Sequence, residues 1–218
     1  MGAGVDDLLR LFVELVEIPS PSGRERAVAD FIMGYLRDAG LDPSEDGSAV
    51  VTGAGSGNVL VRVPGAGRGT PIVVAAHMDT VAVSGPIAAV VAGGVVRSAG
   101  DTILGGDDKA ACAVLLAVLA DLAVSPSPGG FEAVFSTCEE VGLLGAKALD
   151  LSGLAARAGF VFDSTGPVGD VITPTVFGNL GMGRFRSSRN RPSFSNRSFS
   201  CWNASWSAPT PCGSTRSI

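Results

Sequence analysis

One histidine and one tyrosine occur in 218 residues, and the four cysteines show no paired spacing. A zinc finger or ribbon, which repeats Cys and His at fixed intervals, is excluded. A disulfide scaffold is not indicated either. Cys112 and Cys138 lie in apolar runs and are expected to be buried thiols of a reducing compartment. No uncharged apolar run is long enough to span a bilayer. Val5 to Val16 is interrupted by Asp6, Asp7, Arg10 and Glu14, so it is expected to be neither a signal peptide nor a membrane span. A cytoplasmic protein without a membrane partner is the expectation. Basic charge is also scarce: the net charge of −5 argues against a nucleic-acid partner.

Acidic residues disappear abruptly. All 21 lie at or before Asp170, whereas the stretch from Gly178 to Ile218 holds six of the 16 basic residues, every one an arginine, and ten serines. The part before Gly178 therefore has ten basic residues and a net charge of −11. This break divides the chain into residues 1–177 and a Ser/Arg-rich tail, 178–218. Phe194, Phe199, Trp202 and Trp206 lie among the tail's arginines. That pattern admits a nucleic-acid arm, but arginine-serine bias without lysine is a weak electrostatic signature. The body is rich in Ala, Gly and Val, as GC-rich codons dictate, and a slip of reading frame in such DNA yields Arg, Ser, Pro, Trp and Cys. An out-of-frame tail is the expectation.

What is present is a core: 46% of residues are hydrophobic. Val5, Leu8, Leu9, Phe12 and Val16 recur at helical spacing. Ser22-Gly23-Arg24-Glu25 reads as a capping box before a second helix through Val28, Phe31, Ile32, Tyr35 and Leu36, stopped by Gly40. Residues 58–63, 71–76, 131–136 and 159–162 read as strands, 87–91 and 95–97 as a hairpin, and 105–122 and 141–149 as helices. Strands alternating with helices predict an α/β fold with a mainly parallel sheet flanked by helices. The glycines of 64–69 precede no helix, so they offer no phosphate loop.

In such a sheet, ligands bind beyond the carboxyl ends of the strands. His77 and Asp79 follow one apolar strand, Glu139 and Glu140 another, and Asp163 a third; Asp107 and Asp108 open an apolar helix after a glycine pair. Taken singly, these residues have ordinary explanations. His77 could be a satisfied core histidine, Glu139–Glu140 first-turn helix charge, and Asp107–Asp108 a helix cap with a supporting neighbour. Together they gather charge at the ends of buried strands, where burial is costly. A histidine with carboxylates suits zinc, whereas an all-oxygen set suits magnesium or calcium.

Four stretches carry a family resemblance: HMDT at 77–80, TILGGDDKA at 102–110, CEEVGLLGAKALD at 138–150 and FDSTGPVG at 162–169. The chain resembles the co-catalytic zinc exopeptidases, which include peptidase T, carboxypeptidase G, acetylornithine deacetylase and succinyl-diaminopimelate desuccinylase, and it is most similar to the peptidase T-like branch. The resemblance covers roughly residues 5–175 and implies a metal-dependent hydrolase of small peptides or N-acyl amino acids. It implies that His77, Asp107 and Asp163 bind one zinc, and that Asp107 and Glu140 bind a second. Glu139 is implied as the general base and Asp79 as the residue that orients His77, with Asp108 holding the turn. Relatives carry an inserted lid domain, often used for dimerisation, and a second metal-binding histidine. Neither is found here, so a single zinc and impaired turnover are expected. A non-catalytic metal-binding or partner-binding remnant of the same domain is the alternative.

Overall fold

The computed structural model describes residues 4–163 and the backbone of 171–173 and 183–185. The chain begins with two helices, α1 (Val5–Glu17) and α2 (Arg26–Asp38). Strand β1 (Ser44–Glu45), a short helix α3 (Ser48–Thr52), β2 (Val59–Val63) and β3 (Ile72–His77) follow. A hairpin of β4 (Ala89–Ala92) and β5 (Val95–Ser98) leads to the long helix α4 (Gly106–Val124). Then come β6 (Phe131–Ser136), α5 (Leu144–Ala148) and β7 (Ala158–Val161). The Ser164–Ser207 unit contains one described antiparallel pair, β8 (Val171–Thr173) with β9 (Gly183–Phe185). Apart from that backbone, the expected tail 178–218 lies outside the described residues.

The main sheet has the order β1-β2-β6-β3-β7. Strands β6, β3 and β7 are mutually parallel neighbours, and β2 runs antiparallel against β6. The sheet is therefore mixed with a mainly parallel centre. Alternation along each strand assigns its two faces. Val59, Val61, Val63, Val74, Ala76, Phe131, Ala133 and Phe135 share the principal core with residues of α1, α2 and α4. Val73 and Val134 point the other way, towards Ala156, Leu149 and Leu154. Among the described residues no helix is long and apolar enough to cross a membrane.

Two local expectations need correction, and one ordinary explanation falls away. Ser22 and Glu25 do not form a capping box. The Ser22 hydroxyl donates instead to Asp79 Oδ2 at 2.6 Å, and Glu25 Oε1 accepts from the Gly23 amide at 2.8 Å. Two groups distant in the chain, the Asp79 carboxylate and the Cys138 amide, also engage the side chains that local capping would use. Secondly, Asp107 and Asp108 are not cap residues of α4. Their backbone is non-helical (φ −84°, ψ 110° and φ −111°, ψ 29°), their shared peptide is cis, and no side chain caps the helix. Thirdly, the helix expected over 141–149 starts only at Leu144, because Gly142 (φ 107°) and Leu143 (φ 59°) turn the backbone out of the helical region.

Candidate metal centre

Because β6, β3 and β7 are adjacent and parallel, their carboxyl ends lie side by side, and the polar residues that follow them meet. His77 ends β3 and is almost completely buried. Its Nδ1 lies 2.9 Å from the backbone carbonyl of Asp79, and the Asp79 carboxylate lies further away, at 3.5 Å. In the neutral ring, a hydrogen on Nδ1 satisfies that carbonyl and leaves the Nε2 lone pair facing the carboxylates. Nε2 lies 3.2 Å from Asp107 Oδ1 and 3.9 Å from Glu139 Oε2. Two sets of donor atoms lie within 4.8 Å of one another: His77 with Asp107 and Asp163, and His77 with Glu139 and Glu140. All the residues singled out for metal binding are thus brought together around one imidazole.

Asp107 reaches the site because Gly105 turns the chain with φ 72°. A side chain at Gly105 would press on Ile87 and Thr80, at 3.3 and 3.4 Å from its Cβ. Asp108 points inward; it is buried, and its Oδ2 accepts from the His77 amide at 3.2 Å. The next residue, Lys109, is fully buried, and its Nζ donates to the Leu15 carbonyl at 3.2 Å. The Cys112 thiol donates to the His77 carbonyl at 3.2 Å from one turn further along α4. The His77 peptide is therefore held from both sides.

The turn after β6 has its own supports. Asp79 is buried, and its carboxylate accepts from the Glu139 amide at 2.9 Å, the Glu140 amide at 3.2 Å and the Ser22 hydroxyl. Asn58 is also buried. It accepts from the Thr137 amide at 3.2 Å and donates to the Gly145 carbonyl at 2.9 Å and to Asp46 at 2.8 Å. Ser22, Glu25 and Asn58 do not stand out as site residues in the sequence. Their residue types suit a cap or a turn equally well, and each partner is distant in the chain.

The electrostatics are those of carboxylates crowded around one imidazole. Burial opposes charge on His77, but Asp79, Asp108 and Glu139 outweigh it and raise the imidazole to about 9. Burial lifts Asp108 to about 7; His77 opposes the rise, and Asp163 and Asp107 add to it. Glu139 and Glu140 are raised by burial and by the surrounding carboxylates, again opposed by His77. Asp79 moves the other way: burial disfavours its charge, but the adjacent His77 imidazole and hydrogen bonds from the Ser22 hydroxyl and the Glu139 amide hold it below the usual carboxylate range.

The family model described as peptidase family M28 matches residues 58–199, which extends past the break in composition near residue 178. YqjE of Bacillus subtilis (strain 168) is 37% identical over 166 residues, 76% of this chain and 45% of that protein. The cytosol non-specific dipeptidase of Escherichia coli (strain K12) is 31% identical over 67% of this chain and 30% of its own length. Among solved structures, aminopeptidase PepT from Bacillus cereus matches with a TM-score of 0.73 and 35% identity, covering 78% of this chain and 46% of that one. A tripeptidase from Staphylococcus aureus gives the same TM-score at 32% identity, covering 79% and 47%. The chain spans less than half the length of these relatives. Its sequence motifs, its sheet and these matches agree: the chain belongs to the co-catalytic zinc exopeptidase family.

Proposed function

We propose that this chain carries the metal-binding half of an exopeptidase or related amide hydrolase acting on small peptides or N-acyl amino acids in the cytoplasm. The carrying observation is the convergence of His77 with Asp107, Asp163, Glu139 and Glu140, their donor atoms within 4.8 Å in two overlapping sets. The donor chemistry fits zinc, with one imidazole nitrogen and several carboxylate oxygens. The upward shift of Glu139 and Glu140, caused by burial and by neighbouring carboxylates, fits as well, because a bound cation would relieve that crowding. His77, Asp107 and Asp163 would hold one zinc, and Asp107 with Glu140 a second, weaker one.

Zinc, when bound, supplies Lewis acidity for attack on an amide carbonyl. The chain's own residues prepare the rest. The Asp79 carbonyl sets the His77 ring so that Nε2 faces the site. Glu139 is about a quarter exposed, 24%, so it can reach both water and the site. As general base, Glu139 takes a proton from the attacking water and returns it to the leaving amine. Asp79 fixes the backbone from which Glu139 and Glu140 project. With two carboxylates and no further nitrogen donor for the second position among the described residues, we expect one tightly held zinc and slow turnover by this chain alone.

Metal analysis and peptidase assays test the reading. One zinc per chain, with weak hydrolysis of di- or tripeptides that a chelator abolishes, is the expected result. Zinc binding without any hydrolysis would favour the alternative of a non-catalytic metal-binding remnant. No zinc binding would end both.

A further inference from the structure

Three successive backbone amides, those of Cys138, Glu139 and Glu140, donate to two buried carboxylates. Cys138 N lies 3.1 Å from Glu25 Oε1; Glu139 N and Glu140 N lie 2.9 and 3.2 Å from Asp79 Oδ1 and Oδ2. Glu25 is fully buried, and its second oxygen has no hydrogen-bond partner among the described residues. Such a carboxylate is costly to bury, and the amides of Gly23 and Cys138, both donating to Oε1, offset part of that cost. Ser22 closes the arrangement from the other side by donating to Asp79 Oδ2 at 2.6 Å.

The loop bearing Ser22 and Glu25 is itself stitched to the end of β3. Thr80 N donates to the Ser20 carbonyl at 2.9 Å, Ser22 N to the Thr80 carbonyl at 3.2 Å, and the Ser20 hydroxyl to the Met78 carbonyl at 3.0 Å. Glu25 and Cys138 are 113 residues apart, and Ser22 and Asp79 are 57 apart. The entry to α2 thus spans the ends of β3 and β6, the two strands that deliver His77 and the glutamate pair.

We infer that Ser22 and Glu25 are positioning residues that set where the Glu139 and Glu140 carboxylates stand relative to His77. The inference rests on the proposed metal site. Glu25 grips the first amide of the turn, where Cys138 has φ 52°, and Asp79, locked by Ser22, grips the next two. Without either grip the strand end persists, because the β3–β6 ladder continues to His77 and Ser136, but the direction of the two glutamates is lost.

The test uses the full chain and two measurements: zinc affinity by competition with a chromogenic chelator, and hydrogen exchange at amides 138–140 in the metal-free protein. Ser22→Ala and Glu25→Ala are compared with the conservative Ser22→Thr and Glu25→Gln. Val63→Ala, at the opposite end of the β2–β6 ladder, serves as a control for lost stability. We expect the alanine variants to bind zinc about tenfold or more weakly, as loss of a metal site's outer support usually does, and the conservative variants to stay within about threefold. Exchange at 138–140 should rise in the alanine variants and be restored in the conservative ones. Unchanged zinc affinity in Ser22→Ala and Glu25→Ala, or an equal loss in Val63→Ala, overturns the inference. If Glu25→Ala does not fold, Ser22→Ala decides it. A wild-type chain that binds no zinc refutes the proposed function instead, and the exchange data still judge the clamp: unchanged protection at Glu139 and Glu140 refutes it.

Discussion

Lys109 heads the fully buried side chains, directly after the two aspartates that enter the site. Among the described residues its ammonium has one hydrogen bond, to the Leu15 carbonyl at 3.2 Å, and that carbonyl also accepts from the Ile18 amide at 3.2 Å. Burial drives the lysine down from an ordinary 10.5 to about 8, with Cys112 and Asp79 opposing the fall. Each tenfold loss of proton affinity corresponds to about 1.4 kcal/mol, so the charged form costs about 3 kcal/mol in the folded state. Lys109→Met replaces the charge with an unbranched apolar side chain of similar length. The lost hydrogen bond removes about 1 kcal/mol, and Leu15 keeps its other donor. The variant should therefore be more stable than wild type by about 2 kcal/mol at pH 7, within the range seen when buried ions are replaced by apolar groups.

The pH dependence distinguishes this account from simple repacking. Over the window from about 8 to 10.5 the folded chain binds fewer protons than the unfolded chain, so wild-type stability rises with pH through it. The penalty is full below about 8, and the advantage of Lys109→Met should vanish near pH 10. Urea unfolding of the chelator-treated protein measures it. For a typical slope of about 2 kcal/mol per molar urea, the midpoint should rise by about 1 M at pH 7 with the slope unchanged. A lower midpoint at pH 7, or a gain that is the same at pH 7 and pH 10, would falsify the reasoning.

Further outcomes follow from other parts of the site. His77→Ala should abolish stoichiometric zinc binding, since both donor sets share that residue; full retention of one zinc per chain by mass spectrometry would refute the assignment. Asp79→Asn keeps one acceptor oxygen but turns an NH2 group towards the Glu139 or Glu140 amide, so chemical denaturation should show a loss of about 1–3 kcal/mol; no loss would mean that these hydrogen bonds do not support the turn. Burial raises Glu25, and its amide hydrogen bonds and Asp79 act on it in opposite directions. The folded state therefore holds this proton longer than the unfolded chain, and Glu25's contribution to stability falls as pH climbs from the usual carboxylate range through its raised value. Glu25→Gln should flatten that part of the stability–pH profile, and an identical profile would count against a buried charge at Glu25. Leu116→Ala, at a fully buried position of α4, should lose about 2–5 kcal/mol as a cavity opens; a thermal scan showing no change would contradict the packing of the principal core.

Local pattern alone determined much of this protein. The apolar spacing of Val5 to Val16 and of Val28 to Leu36 marks two helices, and the apolar runs ending at His77 and Ser136 mark the strands that carry site residues. These are short-range properties, set by which side chains can share one face. The candidate ligands were legible for the same reason, because charged residues immediately after buried strands stand out in the sequence. Tertiary structure alone decided which strands are neighbours: β6 lies beside β3 although the hairpin and α4 separate them in the chain. It also decided what Ser22 and Glu25 do. A hydroxyl and a carboxylate three residues apart can cap a helix or grip distant groups, and only the arrival of Asp79 and the Cys138 amide makes the second arrangement available. Lys109 shows the same limit. A lysine in the first turn of a helix ordinarily stays solvated, but packing of α1 against α4 shuts water out here, leaving a carbonyl as its hydrogen-bond partner.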